Sequence, residues 1–113
     1  MRSPSLPPIQ PRLETVIPQP IELPQKLVSE YLQNCRNNLA QLKAALAAGE
    51  YETARRLGHQ MKGTGKPYGF PGLTQIGRAI EWAASKQAAL ELGSRIKRLE
   101  VCLTDIELAS EQN

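Results

Sequence analysis

Beyond residue 24 the apolar residues of this chain fall into four runs that step by three and four, and no useful length alternates by two. The first run is Val28, Leu32, Cys35, Leu39, Leu42 and Leu46; the second is Tyr51, Ala54, Leu57 and Met61. The third is Leu73, Ile76, Ile80 and Ala83, and the fourth Leu92, Ile96, Leu99, Leu103 and Ile106. Such spacing puts each set on one side of an α-helix and leaves no candidate strand. The breaks between runs carry helix punctuation. Gly49 is a natural stop for a helix from about Gln25 to Ala48. A second helix starts near Glu50 and is ended or bent by Pro67, whose ring clashes with the carbonyl of Gly63 and disfavours helix at Lys66, leaving Gly69 to turn the chain. A third opens at Pro71, a favoured first-turn residue. The fourth spans about Gln87 to Ala109. Four amphipathic helices on short connections predict an all-α, up-and-down antiparallel four-helix bundle over residues 25–113.

Residues 1–24 differ in kind. They hold seven of the nine prolines, and proline lacks the N–H a helix needs, so an extended or disordered segment is expected there. A linker, a docking strip or a strap on the bundle all fit; the plainest reading is a tail with no specific role. The 113 residues allow one domain with a modest core and no deep substrate cavity. The net charge of +3 is too small and scattered for a nucleic-acid stripe. Cys35 and Cys102 form no C-x-x-C pair and have a single histidine for company, which speaks against zinc and for buried thiols in a reducing compartment. No apolar run reaches membrane-span length, and the start has no signal-peptide core. A cytoplasmic, monomeric protein is expected.

His59, the sole histidine, stands out. With Ala54 at zero and about 100° per residue, Leu57 and Met61 set the core direction near 330°, and His59 falls near 140°, on the solvent side. Arg55 and Arg56 lie one turn before it, Lys62 and Gly63 one turn after, and Lys66 a further turn on if the helix reaches that far. Neutral imidazole is nucleophilic, and such cations would attract and stabilise a phosphoryl group on the ring. From spacing alone, a surface histidine in an ordinary solvated basic face is an equally good reading.

A wider pattern shifts that balance. His59-Gln60-Met61-Lys62-Gly63-Thr64-Gly65, followed by Tyr68-Gly69-Phe70-Pro71, resembles the signature H-x-(L/M)-K-G-(S/T) of histidine-phosphotransfer (HPt) domains, and especially the bacterial branch reading G-H-x-(L/M)-K-G-(S/T)-G-x-x-Y-G-F. The likeness runs from roughly Leu23 to Leu108, through Tyr31-Leu32, Leu39 to Tyr51, and Leu73, Ile76, Ala79, Ile80 and Glu81. It implies that His59 is the phosphoacceptor, that Lys62 hydrogen-bonds phosphoryl oxygens, that Gly63 is the sterically open position beside them, and that Gly69 is the glycine ending the active helix. Lys66-Pro67 departs from the pattern, where small residues are commoner.

The resemblance further implies a phosphorelay role. His59, through Nε2, would accept a phosphoryl group from the aspartate of a receiver domain, in a response regulator or hybrid histidine kinase, and give it to another. The receiver would supply the aspartate and Mg²⁺, and this chain no cofactor. It has no phosphate-cradling loop and is too short for a kinase domain, so it would carry phosphate and not draw it from ATP. Arg55, Arg56, Gln60, Gly63, Lys66 and Tyr68, with Lys62, are the candidate partner surface, although Tyr68 fits loop packing slightly better. Trp82 is expected partly buried between helices, without a functional role. The first alternative is an unphosphorylated helical adaptor that binds a receiver or kinase; the second, a basic helical module with salt-sensitive nucleic-acid affinity, is disfavoured by the glutamates along the later helices.

Overall fold

The computed structural model describes residues 23–111; the proline-rich segment expected over 1–24 lies outside them except for Leu23 and Pro24. Four helices follow in order: α1 (Gln25–Ala48), α2 (Tyr51–Thr64), α3 (Pro71–Ser85) and α4 (Ala89–Glu111). Each packs on its chain neighbours, and α4 closes on α1, so the described residues form the expected four-helix bundle with no strand.

The connections follow local chemistry. Gly49 adopts φ 71° at the end of α1, which costs a glycine nothing. Its N–H reaches the Leu46 carbonyl (3.2 Å) and that of Glu50 the Ala45 carbonyl (2.8 Å), the Schellman pairing. The same pairing ends α3: the N–H groups of Gln87 and Ala88 reach the carbonyls of Ala84 and Ala83, each at 3.0 Å. Gln87, at φ 53°, takes the left-handed place there. It closes α3, and so α4 begins at Ala89 instead of Gln87. Helix α2 ends at Thr64, three residues short of Pro67. The turn after it closes at Gly69, φ 94°, so this glycine ends the loop that follows the helix.

The core holds the four predicted stripes with α1 rotated slightly. Cys35, Leu39 and Leu42 are buried as expected, but Tyr31 and Ala45 take the ends of the stripe, while Leu32 and Leu46 are only half-buried. Tyr31 stacks on Tyr68 with centroids 4.2 Å apart and planes 3° off parallel, and Phe70 lies 6.3 Å from it. The Tyr31 hydroxyl donates to Thr64 Oγ1 (3.0 Å), which donates to the Gln60 carbonyl (3.0 Å). Burial pushes the Tyr31 phenol pKa well above its ordinary range. The end of α2 and its turn are thereby fixed to α1. Cys35 is buried and Cys102 half-buried, both free.

The α2–α3 contact is of another kind. A methyl group on Gly58 would stand 2.6 Å from the backbone nitrogen of Glu81 and 2.9 Å from the Gly77 carbonyl oxygen. One on Gly77 would stand 2.5 Å from the backbone nitrogen of Lys62, and one on Gly65 the same distance from that of Thr74. Backbone meets backbone along this seam, with no side chain as spacer.

Candidate functional site

The glycine seam decides what His59 meets. With the two backbones in contact, side chains flanking the seam reach across it, and Glu81 of α3 arrives beside His59 and Lys62 of α2. The imidazole Nδ1 lies 3.0 Å from Glu81 Oε2, and the Lys62 ammonium lies 2.8 Å from Oε1. Arg55 Nη1 is farther, 3.9 Å from Oε2. The Glu81 carboxyl is held below its ordinary pKa, chiefly by the Lys62 hydrogen bond and secondarily by His59, against partial desolvation.

An ionised carboxylate can only accept a hydrogen bond, so the proton between the two groups belongs to Nδ1. In the neutral ring the lone pair is then on Nε2. The His59 side chain is 60% exposed, so the ring is anchored on one nitrogen with its edge toward solvent. The ring thus holds one tautomer, with its lone-pair nitrogen unbonded and a lysine close by that is able to meet an anion.

Glu81 adds a carboxylate to the cations expected around His59. In the sequence Glu81 stands only as a position of the third-helix pattern and as one of the glutamates along the later helices. The other candidates divide. Gly63 is exposed with nothing within 4 Å of where a methyl would sit, so the helix surface beside His59 is open. Arg55 is committed to Glu52 by two hydrogen bonds, 2.9 and 2.7 Å, while Arg56 is exposed on the same helix. Gln60 is exposed and lines the groove toward α1 together with the half-buried Tyr68. Lys66 lies past the end of α2, in the turn, with its N–H bonded to Thr74 Oγ1 at 2.7 Å; the extra turn that would have set it above His59 does not form. Trp82 reverses its expectation: it is 52% exposed instead of packed between helices. Among the described residues no cluster of His, Cys, Asp or Glu could hold a metal ion, and no helix is long and apolar enough to cross a membrane.

The described residues thus form a helical bundle that presents one anchored histidine to solvent. The family model for the Hpt domain matches residues 26–110, and the chain belongs to that family. It thus has a phosphotransfer role in two-component signalling, in a family of phosphocarriers that interact with receiver domains or kinases. The chain matches no curated protein and no solved structure.

Proposed function

We propose that His59 is the phosphoacceptor, taking a phosphoryl group from a receiver-domain aspartate and passing it to another. The single observation that supports this best is the Nδ1···Glu81 hydrogen bond, which leaves Nε2 as the free nitrogen on the exposed side of the ring. In the transfer the Nε2 lone pair forms the N–P bond as the bond from phosphorus to the aspartate oxygen breaks. The leaving carboxylate keeps that electron pair. The geometry is in line and the transition state loose, so positioning and charge do most of the work. The ring turns cationic as the bond forms, and Glu81, already bonded to Nδ1–H, stabilises that charge. Lys62 swings from Glu81 to the phosphoryl oxygens, and Gly63 leaves room for the partner's approach. The receiver contributes the aspartate and Mg²⁺; this chain needs no cofactor of its own. The return transfer uses the same groups in reverse.

Replacing His59 by Gln tests the reading directly. His59 is exposed and outside the core, so the variant should melt as the wild type does. It should take no label from a ³²P-phosphorylated receiver, where the wild type is labelled within the assay. Retained labelling would place the acceptor elsewhere; retained signalling output without labelling would make the chain an adaptor.

A further inference from the structure

We propose that the receiver docks across α3, on the side of His59 that carries Trp82, with Trp82 as its principal apolar anchor. This rests on the reading of His59 as phosphoacceptor and adds which face the partner covers. Three observations converge. The ring of His59 leans toward α3, where Glu81 holds it, so an approaching phosphoryl group is met from above the α2–α3 seam. With Ile80 at the core direction, Glu81 falls near 100° and Trp82 near 200° on α3, so Trp82 points outward from the next position round. Close-packed helix axes lie about 8–10 Å apart, which puts the indole roughly 15 Å from the imidazole. A standard interface covers about 800 Å² per partner, a disc roughly 30 Å across, so both fit within one footprint.

Trp82 also has no evident task within the fold. It lies outside the buried cluster, is 52% exposed, and is the only aromatic among the exposed large apolar side chains of the described residues. Tryptophan concentrates binding energy in interfaces through its large, rigid surface. Its surroundings are basic: Arg78 and Arg95 line a shallow dent of about 330 Å³ with it, and Lys86 Nζ stands 6.0 Å from the ring centre. A partner whose reactive group is a phosphorylated aspartate brings anionic surface, and this rim complements it. The opposite flank of α2 offers no such charge match. The groove toward α1 holds the half-buried Tyr68 but no charged residue, and Asn34, Asn38, Gln41 and Gln60 give it a neutral amide rim.

The test uses the full chain and the receiver that best labels it. Trp82→Ala should raise the receiver concentration for half-maximal transfer about tenfold or more, and Trp82→Phe much less. Labelling of His59 by phosphoramidate, a small donor that needs no docking surface, should not change. Unaltered half-saturation in Trp82→Ala would overturn the proposal. So would a tenfold loss in Gln60→Ala with none in Trp82→Ala, or a wild-type dimer that Trp82→Ala dissolves. A parallel loss of phosphoramidate labelling would also overturn it, since Trp82 would then act on His59 itself. His59→Gln, run beside these, reports on the phosphoacceptor alone.

Discussion

Two seams of the bundle are built on opposite rules. Between α2 and α3, glycines bring backbone against backbone, and a short polar cluster (His59, Lys62, Glu81) forms at the rim. Between α1 and α4, side chains space the backbones, so that even Gly93 faces the Leu46 side chain and no backbone, and long charged groups bridge the surface: Arg36 to Glu107 and Lys43 to Glu100. A backbone contact fixes the relation of two helices closely because nothing in it can rotate away. Flexible surface ion pairs tolerate displacement. The proposed chemistry lies at the rigid seam, which suits a site that must hold a ring nitrogen and a carboxylate at 3.0 Å.

The largest effect should therefore come from wedging the rigid seam. Gly77→Ala would set a methyl 2.5 Å from the Lys62 nitrogen and 2.8 Å from the Gly58 carbonyl oxygen, both backbone atoms. The gain in helix propensity, about 1 kcal/mol, is outweighed by overpacking of about 3 kcal/mol. With about 4–8 °C per kcal/mol for a domain of this size, the melting temperature should fall by roughly 10 °C, and the Glu81–His59 bond should open. Gly63→Ala is the control on the same helix. Its methyl meets nothing, so thermal melting should show equal or slightly higher stability. Equal melting of both variants would show that the seam yields.

Next in size is a change that leaves the seam and removes its charge. Glu81→Gln keeps the shape but cannot attract the Lys62 ammonium or stabilise a cationic ring as a carboxylate does. Initial rates of phosphotransfer from a receiver should fall about 10- to 100-fold, the usual range for a group that orients a reactive ligand. Stability should move by less than about 1 kcal/mol, since the cluster is partly solvated. An unchanged rate would remove Glu81 from the mechanism. If Trp82 docks the receiver, this loss appears at saturating receiver, where a docking defect does not.

The same contrast explains what could be read in the chain beforehand. The bundle was legible because Leu73, Ile76, Ile80 and Ala83, and their counterparts, repeat locally, and periodicity is a property of neighbours in sequence. Gly49 and Pro71 declared helix ends for the same reason. The exposure of His59 followed from its angle to Leu57 and Met61. Glu81 was not legible as part of the site, since it lies 22 residues from His59 and meets it only because Gly58 and Gly77 let two backbones touch. One sequence does not say which glycines serve turns and which serve contacts. Tyr31 was missed as core because the apolar stripe of α1 could be drawn one position to either side, and its stacking on Tyr68 decides the matter. Trp82 was misjudged through its size: a large ring suggests burial, yet its position on α3 faces away from Ile80.

The smallest effect belongs to the tolerant seam. Arg36 reaches Glu107 with Nε to Oε2 at 3.0 Å and Nη2 to Oε1 at 2.6 Å, and Nη2 also donates to Thr104 Oγ1 at 3.0 Å. The geometry is good, but the two side chains keep 29% and 37% of their surface in solvent, so Glu107→Gln should cost no more than about 1 kcal/mol and leave transfer rates intact. The pH dependence separates this pair from a packing effect. The Arg36 hydrogen bonds hold the Glu107 carboxyl below its ordinary 4.5. A group whose pKa is depressed by folding contributes fully above its unfolded value and loses that contribution as pH falls through the folded one. The stability difference between wild type and Glu107→Gln should thus be constant from about pH 6 to 8 and close below about pH 4. Added salt should shrink it throughout, as it screens exposed pairs. Denaturant unfolding at a series of pH values reads both. A difference that persists at low pH would assign Glu107 a packing role and make the α1–α4 seam less tolerant than its open ion pairs indicate.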